Sequence, residues 1–219
     1  MERTGTERKR FPERGLYGFF TEGFSHGRSV AETAELLGKA GVPIMQYREK
    51  DKSKRLKLVE CRLLREITRR YGQCFIVNDD IEIALLVGAD GVHLGQDDIP
   101  ASDARALIGR GMILGISTHS PAQLAAAVES GADYVGVGPI FPTMTKKDVC
   151  APVGYEYLDY ALSHSPVPCV AIGGIKRRHV ADLASRGARI IAMVTEILDT
   201  SAPDEIAREV VETMKRGEA

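Results

Sequence analysis

The sequence predicts an α/β fold in which one chain closes into a single (β/α)8 barrel. Three observations predict it. Eight short apolar runs alternate with amphipathic segments along the 219 residues, and strict βα alternation implies parallel strands with helical crossovers. The connections are short, and no linker or shift in composition divides the chain. Polar residues of chemically active types recur just after the apolar runs, where barrel sites lie. Eight units are the number that closes a TIM barrel; a doubly wound open sheet is the alternative, but it usually needs fewer.

Each element has its own signature. LYGFF at 16–20 reads as the first strand. SVAETAELLGKAG at 29–41 follows as a helix, with Ser29 and Glu32 placed for a capping box and Gly41 as the stop. PIMQYRE at 43–49 is the second strand. The long segment 53–72 repeats its apolar residues at three and four, as a helix does. CFIVN at 74–78 is the third strand, and 81–88 a short helix. DGVHL at 90–94, MILGIS at 112–117 and DYVGVGPI at 133–140 are strands four to six. Helices at 101–109 and 120–131 separate them, the second opening on Ser120 as N-cap with Pro121 behind it. A helix at 154–164, a strand at 168–174, a helix at 176–187, a strand at 188–194 and a helix at 203–217 complete the eight units. The repeated helix endings GADGV, GADYV and GARII mark the glycine stops from which the chain re-enters the sheet. Residues 1–14 read as a polar, mobile tail, and 15–219 as the barrel domain.

Composition narrows the function. Basic and acidic residues nearly balance, 29 against 30, which speaks against a nucleic-acid partner. No apolar run approaches the roughly 18 residues of a membrane span, and the first residues lack the apolar core of a secretory signal. The four cysteines form no CxxC pair, and the five histidines have no metal-ligand spacing. The expected setting is the cytoplasm. The sequence is compatible with a homodimer.

The polar residues at the strand ends sort by chemistry. Gln46, Arg48 and Lys50 share one side of the second strand. Asn78 and Asp79 follow the third, with Asp80 read as a helix N-cap. Asp98 follows the fourth. Asp79 and Asp98 are hard oxygen ligands at neighbouring strand ends, a pair suited to Mg2+. Ser117, Thr143, Thr145 and Lys146 offer hydroxyls, backbone N–H groups and a cation to a polyphosphate. Gly173, Gly174, Val194 and Thr195 occupy the usual barrel phosphate site after strands seven and eight. Two anion sites in one pocket are expected, one for a metal-bound pyrophosphate and one for a monophosphate.

In order, the segments QYREK, VNDD, GADGVHLGQDD, ILGIS, GADYVGVGPIFPTMTKKD and AIGGI resemble the thiamine-phosphate synthase family over about residues 16 to 215. The resemblance implies a Mg2+-dependent transferase of thiamine biosynthesis, joining hydroxymethylpyrimidine pyrophosphate to a thiazole phosphate. Pyrophosphate leaves first, and the thiazole nitrogen captures the resulting pyrimidine-methyl cation. By motif, Gln46, Arg48, Lys50 and Asn78 bind the pyrimidine substrate, and Asp79 and Asp98 the metal. Ser117, Thr143, Thr145 and Lys146 contact pyrophosphate and thiazole; Gly174, Val194 and Thr195 hold the thiazole phosphate. Arg48, Lys50, Ser117 and Lys146 are the catalytic set. Two positions depart from the pattern: Thr195 stands where serine is usual, and Glu22 where aspartate is usual. Two alternatives stand beside this reading, a thiazole tautomerase using His119 and a non-catalytic ligand-binding relative.

Overall fold

The computed structural model describes residues 9–145 and 150–216. Eight strands close a barrel in the order β1 to β8, and every neighbouring pair is parallel, β1 with β8 included. The strands are β1 Gly15–Phe20, β2 Ile44–Tyr47, β3 Cys74–Asn78, β4 Gly91–Leu94, β5 Ile113–Thr118, β6 Tyr134–Val137, β7 Cys169–Ile172 and β8 Ile190–Ala192. Between them run helices α1 Val30–Lys39, α2 Lys54–Arg70, α3 Ile81–Val87, α4 Ala101–Ile108, α5 Pro121–Glu129, α6 Gly154–His164 and α7 Val180–Ser185. A short α8, Thr195–Leu198, and a long α9, Pro203–Arg216, close the chain.

Local chemistry explains the helix starts. Ser29 and Glu32 form the capping box ahead of α1, and the hydroxyls of Ser53 and Ser120 cap α2 and α5. Each such cap contributes about 1 kcal/mol. Asp80 stands at the N-cap position of α3, but its side chain makes no capping bond. Its carboxylate instead takes Lys54 at 2.7 Å and Lys57 at 2.8 Å. Two ammonium groups from α2 outcompete a backbone N–H for that carboxylate, because each brings a full positive charge where the N–H offers only a dipole.

The apolar letters overrun the strands at their ends. β6 stops at Val137, before Gly138-Pro139, where proline has no N–H for the ladder. β7 stops at Ile172 because Gly173 turns the chain at φ +100°. α8 and a 3-10 turn at Glu22–Phe24 are additions that no periodicity announced. Residues 9–14 of the expected tail are described. Phe11 is buried at 8% exposure and Lys9 pairs with Asp90, so residues 9–14 include packed side chains.

Leu16, Phe20, Val77, Leu114, Val135 and Ile191 are fully buried. They alternate along their strands with the residues that face the barrel interior. The interior set is polar and aromatic toward the carboxyl ends of the strands, and there it opens into a cavity.

Candidate active site

Alternation along each strand decides what enters the cavity. β1 presents Tyr17 and Phe19, β2 Gln46 and then Arg48, β3 Asn78, β4 His93, and β5 Ser117 and then His119. β6 presents Tyr134 and Gly136, β7 Val170 and Ile172, and β8 Ala192 and then Val194. Thr143, Thr145, Gly174 and Thr195 close the rim. The structure therefore gathers Gln46, Arg48, Asn78, Ser117, Thr143, Thr145, Gly174, Val194 and Thr195 around one space, and Lys146 lies outside the described residues.

Lys50, Asp79 and Asp98 do not line that space; they form a charged cluster beside it. The Lys50 ammonium pairs with the Asp79 carboxylate. Asp98 is braced by the Gly95 N–H at 2.7 Å. Asp79 has a left-handed backbone, φ +60°, unusual for a residue with a side chain. Its N–H donates to the His93 carbonyl at 2.9 Å, which ties the end of β3 to β4. Burial raises the Asp79 carboxyl above the usual carboxylate range; Lys50 opposes the rise, and the adjacent Asp98 carboxylate adds to it. Burial also lowers the Arg48 guanidinium, against the pull of Asp79 and Glu49. Two carboxylates thus crowd each other next to two cations, an arrangement that favours a bound cation on one side and an anion on the other.

The loop bearing the threonines is strapped to the glycine turn. Ile140 N–H donates to the Ile172 carbonyl at 2.9 Å, and Phe141 N–H to the Gly173 carbonyl at 3.0 Å. A side chain on Gly173 would overlap Pro139, and one on Gly174 would overlap Phe141 and Pro142. Both glycines also have positive φ, +100° and +64°. So Gly173 and Gly174 do more than expose N–H groups: they let two rim loops touch backbone to backbone. Thr143 and Thr145 share a hydrogen bond at 3.1 Å. Glu22 pairs with Lys52 at 2.8 Å, and its N–H donates to the Glu49 carboxylate at 2.6 Å. The departure at Glu22 thereby clasps the β1 loop to the β2 loop that carries Arg48 and Lys50.

Tyr17, His93 and Tyr134 also line the cavity and were given no site role from sequence. With Gln46 and Ser117 they make one hydrogen-bonded chain across the barrel. Gln46 Nε2 donates to the Tyr17 hydroxyl at 2.8 Å. Tyr17 and Tyr134 hydroxyls meet at 3.0 Å. Tyr134 meets His93 Nδ1 at 2.9 Å, and His93 Nε2 meets Ser117 Oγ at 2.9 Å. Burial holds both tyrosines protonated, well above the usual phenol range. Since the Gln46 amide nitrogen only donates, Tyr17, Tyr134 and His93 each both give and accept when the chain runs from Gln46 to Ser117. That order leaves the Ser117 hydroxyl proton free to donate to a ligand. His119 also faces the cavity, with its Nδ1 2.5 Å from the Gly138 carbonyl.

Fold and site define a class: single-domain (β/α)8 barrels with a polar cavity at the carboxyl ends of the strands. Residues 16–197 match the family model described as thiamine monophosphate synthase. The chain is 54% identical over 186 residues to a thiamine-phosphate synthase of Pelotomaculum thermopropionicum, covering 85% of each chain. It is 51% identical over 189 residues to that of Lawsonia intracellularis, covering 86% of each. Among solved structures it resembles thiamine phosphate pyrophosphorylase from Pyrococcus furiosus, with a TM-score of 0.86 at 28% identity over 94% of this chain and 98% of that one. The chain belongs to the thiamine monophosphate synthase family. Among the described residues no helix is long and apolar enough to cross a membrane.

Proposed function

We propose that the chain is a Mg2+-dependent transferase that couples hydroxymethylpyrimidine pyrophosphate to a thiazole phosphate, giving thiamine phosphate and pyrophosphate. The observation that carries this reading is the single cavity that joins Gln46, Arg48 and Asn78 on one side to Thr143, Thr145, Gly174 and Thr195 on the other. Two phosphorylated substrates need such a shared space if their reacting atoms are to meet.

The residues fit the metal. Asp79 and Asp98 are neighbouring carboxylates: burial is the main cause that raises the Asp79 carboxyl, and Asp98 adds to it. No group of three or more histidine, cysteine or carboxylate side chains stands together among the described residues. Mg2+ is commonly held in this way, by one or two carboxylates with water and substrate phosphate oxygens making up the rest. When bound, Mg2+ supplies positive charge to the pyrophosphate oxygens as negative charge gathers there.

The protein's own groups do the remainder. Gln46 and Asn78 orient the pyrimidine. Arg48 and Lys50 neutralise the departing pyrophosphate, joined by Lys146 in the role the family resemblance gives it. Ser117 donates its free hydroxyl proton to the same group. The carbon–oxygen bond breaks with its electron pair on pyrophosphate, and the thiazole nitrogen donates the pair that forms the new carbon–nitrogen bond. Thr143 and Thr145 steady both partners, and Gly174, Val194 and Thr195 seat the thiazole phosphate. Positioning and charge stabilisation are the whole of the catalysis, and no protein nucleophile is required.

The test is a coupling assay with both purified substrates, with and without Mg2+. Thiamine phosphate and pyrophosphate formed in equal amounts, only with metal, are expected. Turnover of the thiazole alone, with no coupling, would replace this reading with the tautomerase.

A further inference from the structure

The segment before β1 crosses the bottom of the barrel from side to side. Lys9 Nζ donates to the Ala89 carbonyl at 2.8 Å and pairs with Asp90 at 2.9 Å, at the entry to β4. Gly15 N–H donates to the Arg189 carbonyl at 2.9 Å, at the entry to β8. In a closed ring of eight, β4 and β8 stand opposite each other, so residues 9–15 span the diameter of the amino-terminal mouth.

Phe11 sits between these anchors and enters the barrel. Its ring stacks on Tyr134 with centroids 3.8 Å apart and planes at 4°, and lies 6.3 Å from the Tyr17 ring. The other constraint on Tyr134 is Gly115 of β5, where an added Cβ would overlap the ring and its hydroxyl. The Tyr134 ring is thus confined by Phe11 and by the β5 backbone. Its hydroxyl is the central link between Tyr17 and His93, and His93 holds Ser117. Phe11 itself is absent from the cavity lining.

We propose that residues 9–15 are the floor of the active site, and that Phe11 is a positioning residue that fixes the Tyr134–His93–Ser117 chain from below without touching substrate. The ring stack holds the tyrosine hydroxyl at bonding distance from His93. That contact keeps the imidazole in the tautomer that leaves the Ser117 proton facing the cavity. The chemistry above is therefore organised partly by a segment on the opposite side of the barrel from the substrates.

The experiment compares Phe11→Leu, which keeps apolar volume but removes the stack, with Phe11→Ala and with Val210→Ala. Val210 is a buried residue of α9 outside the cavity and serves as the control for simple loss of stability. Proton NMR of substrate-free, 15N-histidine-labelled protein follows the His93 Nε2–H resonance. Steady-state kinetics give KM for each substrate separately.

In Phe11→Leu the resonance is expected to exchange with solvent about tenfold faster, and KM for the pyrimidine pyrophosphate to rise about fivefold, with KM for the thiazole phosphate unchanged. Val210→Ala should lower Tm and move neither readout. An unchanged His93 resonance in both Phe11 variants, with only Tm lowered, overturns the proposal. The kinetic arm rests on the role proposed for Ser117 toward the pyrimidine pyrophosphate, and the NMR arm does not. A changed resonance with both KM values unmoved supports the floor and removes Ser117 from the pyrophosphate.

Discussion

Replacing Gly115 by alanine puts a methyl group where the Tyr134 ring lies. The added Cβ would overlap ring carbons and the hydroxyl, none of them the end of a flexible chain. The ring has nowhere to go, since Phe11 is stacked on it and Tyr134 is 1% exposed. Overpacking of this kind costs about 1–3 kcal/mol. Moving the hydroxyl away from Tyr17 and His93, 3.0 and 2.9 Å distant, removes two hydrogen bonds at about 1 kcal/mol each. The stiffer alanine backbone returns about 1 kcal/mol through the unfolded state. The net loss is about 2–4 kcal/mol, or about 4–16 °C in Tm for a chain of this size. Urea denaturation and thermal melts measure it. Gly115→Ala combined with Tyr134→Leu should be less unstable than the two single losses added together, because the leucine vacates the space the methyl needs. A Gly115→Ala protein within 0.5 kcal/mol of wild type, on the order of an ordinary surface change, would refute the packing argument.

Asp79→Asn and Asp98→Asn should each lower coupling on the order of 10²-fold and remove any rise in Tm produced by Mg2+; near-normal activity in either rejects the metal assignment. Asp90 is half-buried, which raises its carboxyl. The Phe75 N–H, Lys9 and Arg65 outweigh burial and hold the carboxyl below the usual range. Its stabilisation is thus fully present above the unfolded value of about 3.9 and is lost as pH falls through the lower folded value. Asp90→Asn should cost about 3 kcal/mol at pH 7, and urea melts should show the gap closing below about pH 4; a gap independent of pH would contradict the linkage. Lys52 joins Glu22, Glu49 and Glu60. Lys52→Met should leave those carboxylates unneutralised, raise KM for the pyrimidine pyrophosphate and lower Tm. A loss of Tm alone would confine the clasp to stability.

The barrel was legible in the sequence because a βα rhythm needs only local chemistry: an apolar run, a capping serine, a closing glycine. Ser29 with Glu32, and Ser120 with Pro121, do in the fold what their letters announce. Strand ends were less legible, since β6 and β7 are cut by backbone events at Pro139 and Gly173 while the letters stay apolar. Much of the rim could also be read, because polar residues at strand ends have few other places to point. The floor could not. Phe11 stands in a charged segment, and only the closed ring shows what it lies against. Tyr17 and Tyr134 read as ordinary strand residues. The signal that could have found them is alternation across neighbouring strands, with Gly115 and Tyr134 at one register position and Tyr17 in the inward set. Asp80 takes the N-cap position read from the sequence, but the use of its carboxylate was not legible, because a cap and an ion pair compete for it and the distance from Lys54 and Lys57 is a property of the fold.

On the proposed mechanism Asp79 and Asp98 share the cation that accompanies the leaving pyrophosphate. Crystals grown with Mn2+ and inorganic pyrophosphate test it by anomalous scattering. One manganese peak is expected, bonded to an oxygen of each carboxylate and to the pyrophosphate, with Lys50 released from Asp79 toward the anion. Pyrophosphate bound in the cavity with manganese elsewhere, or with none between the two carboxylates, would contradict it.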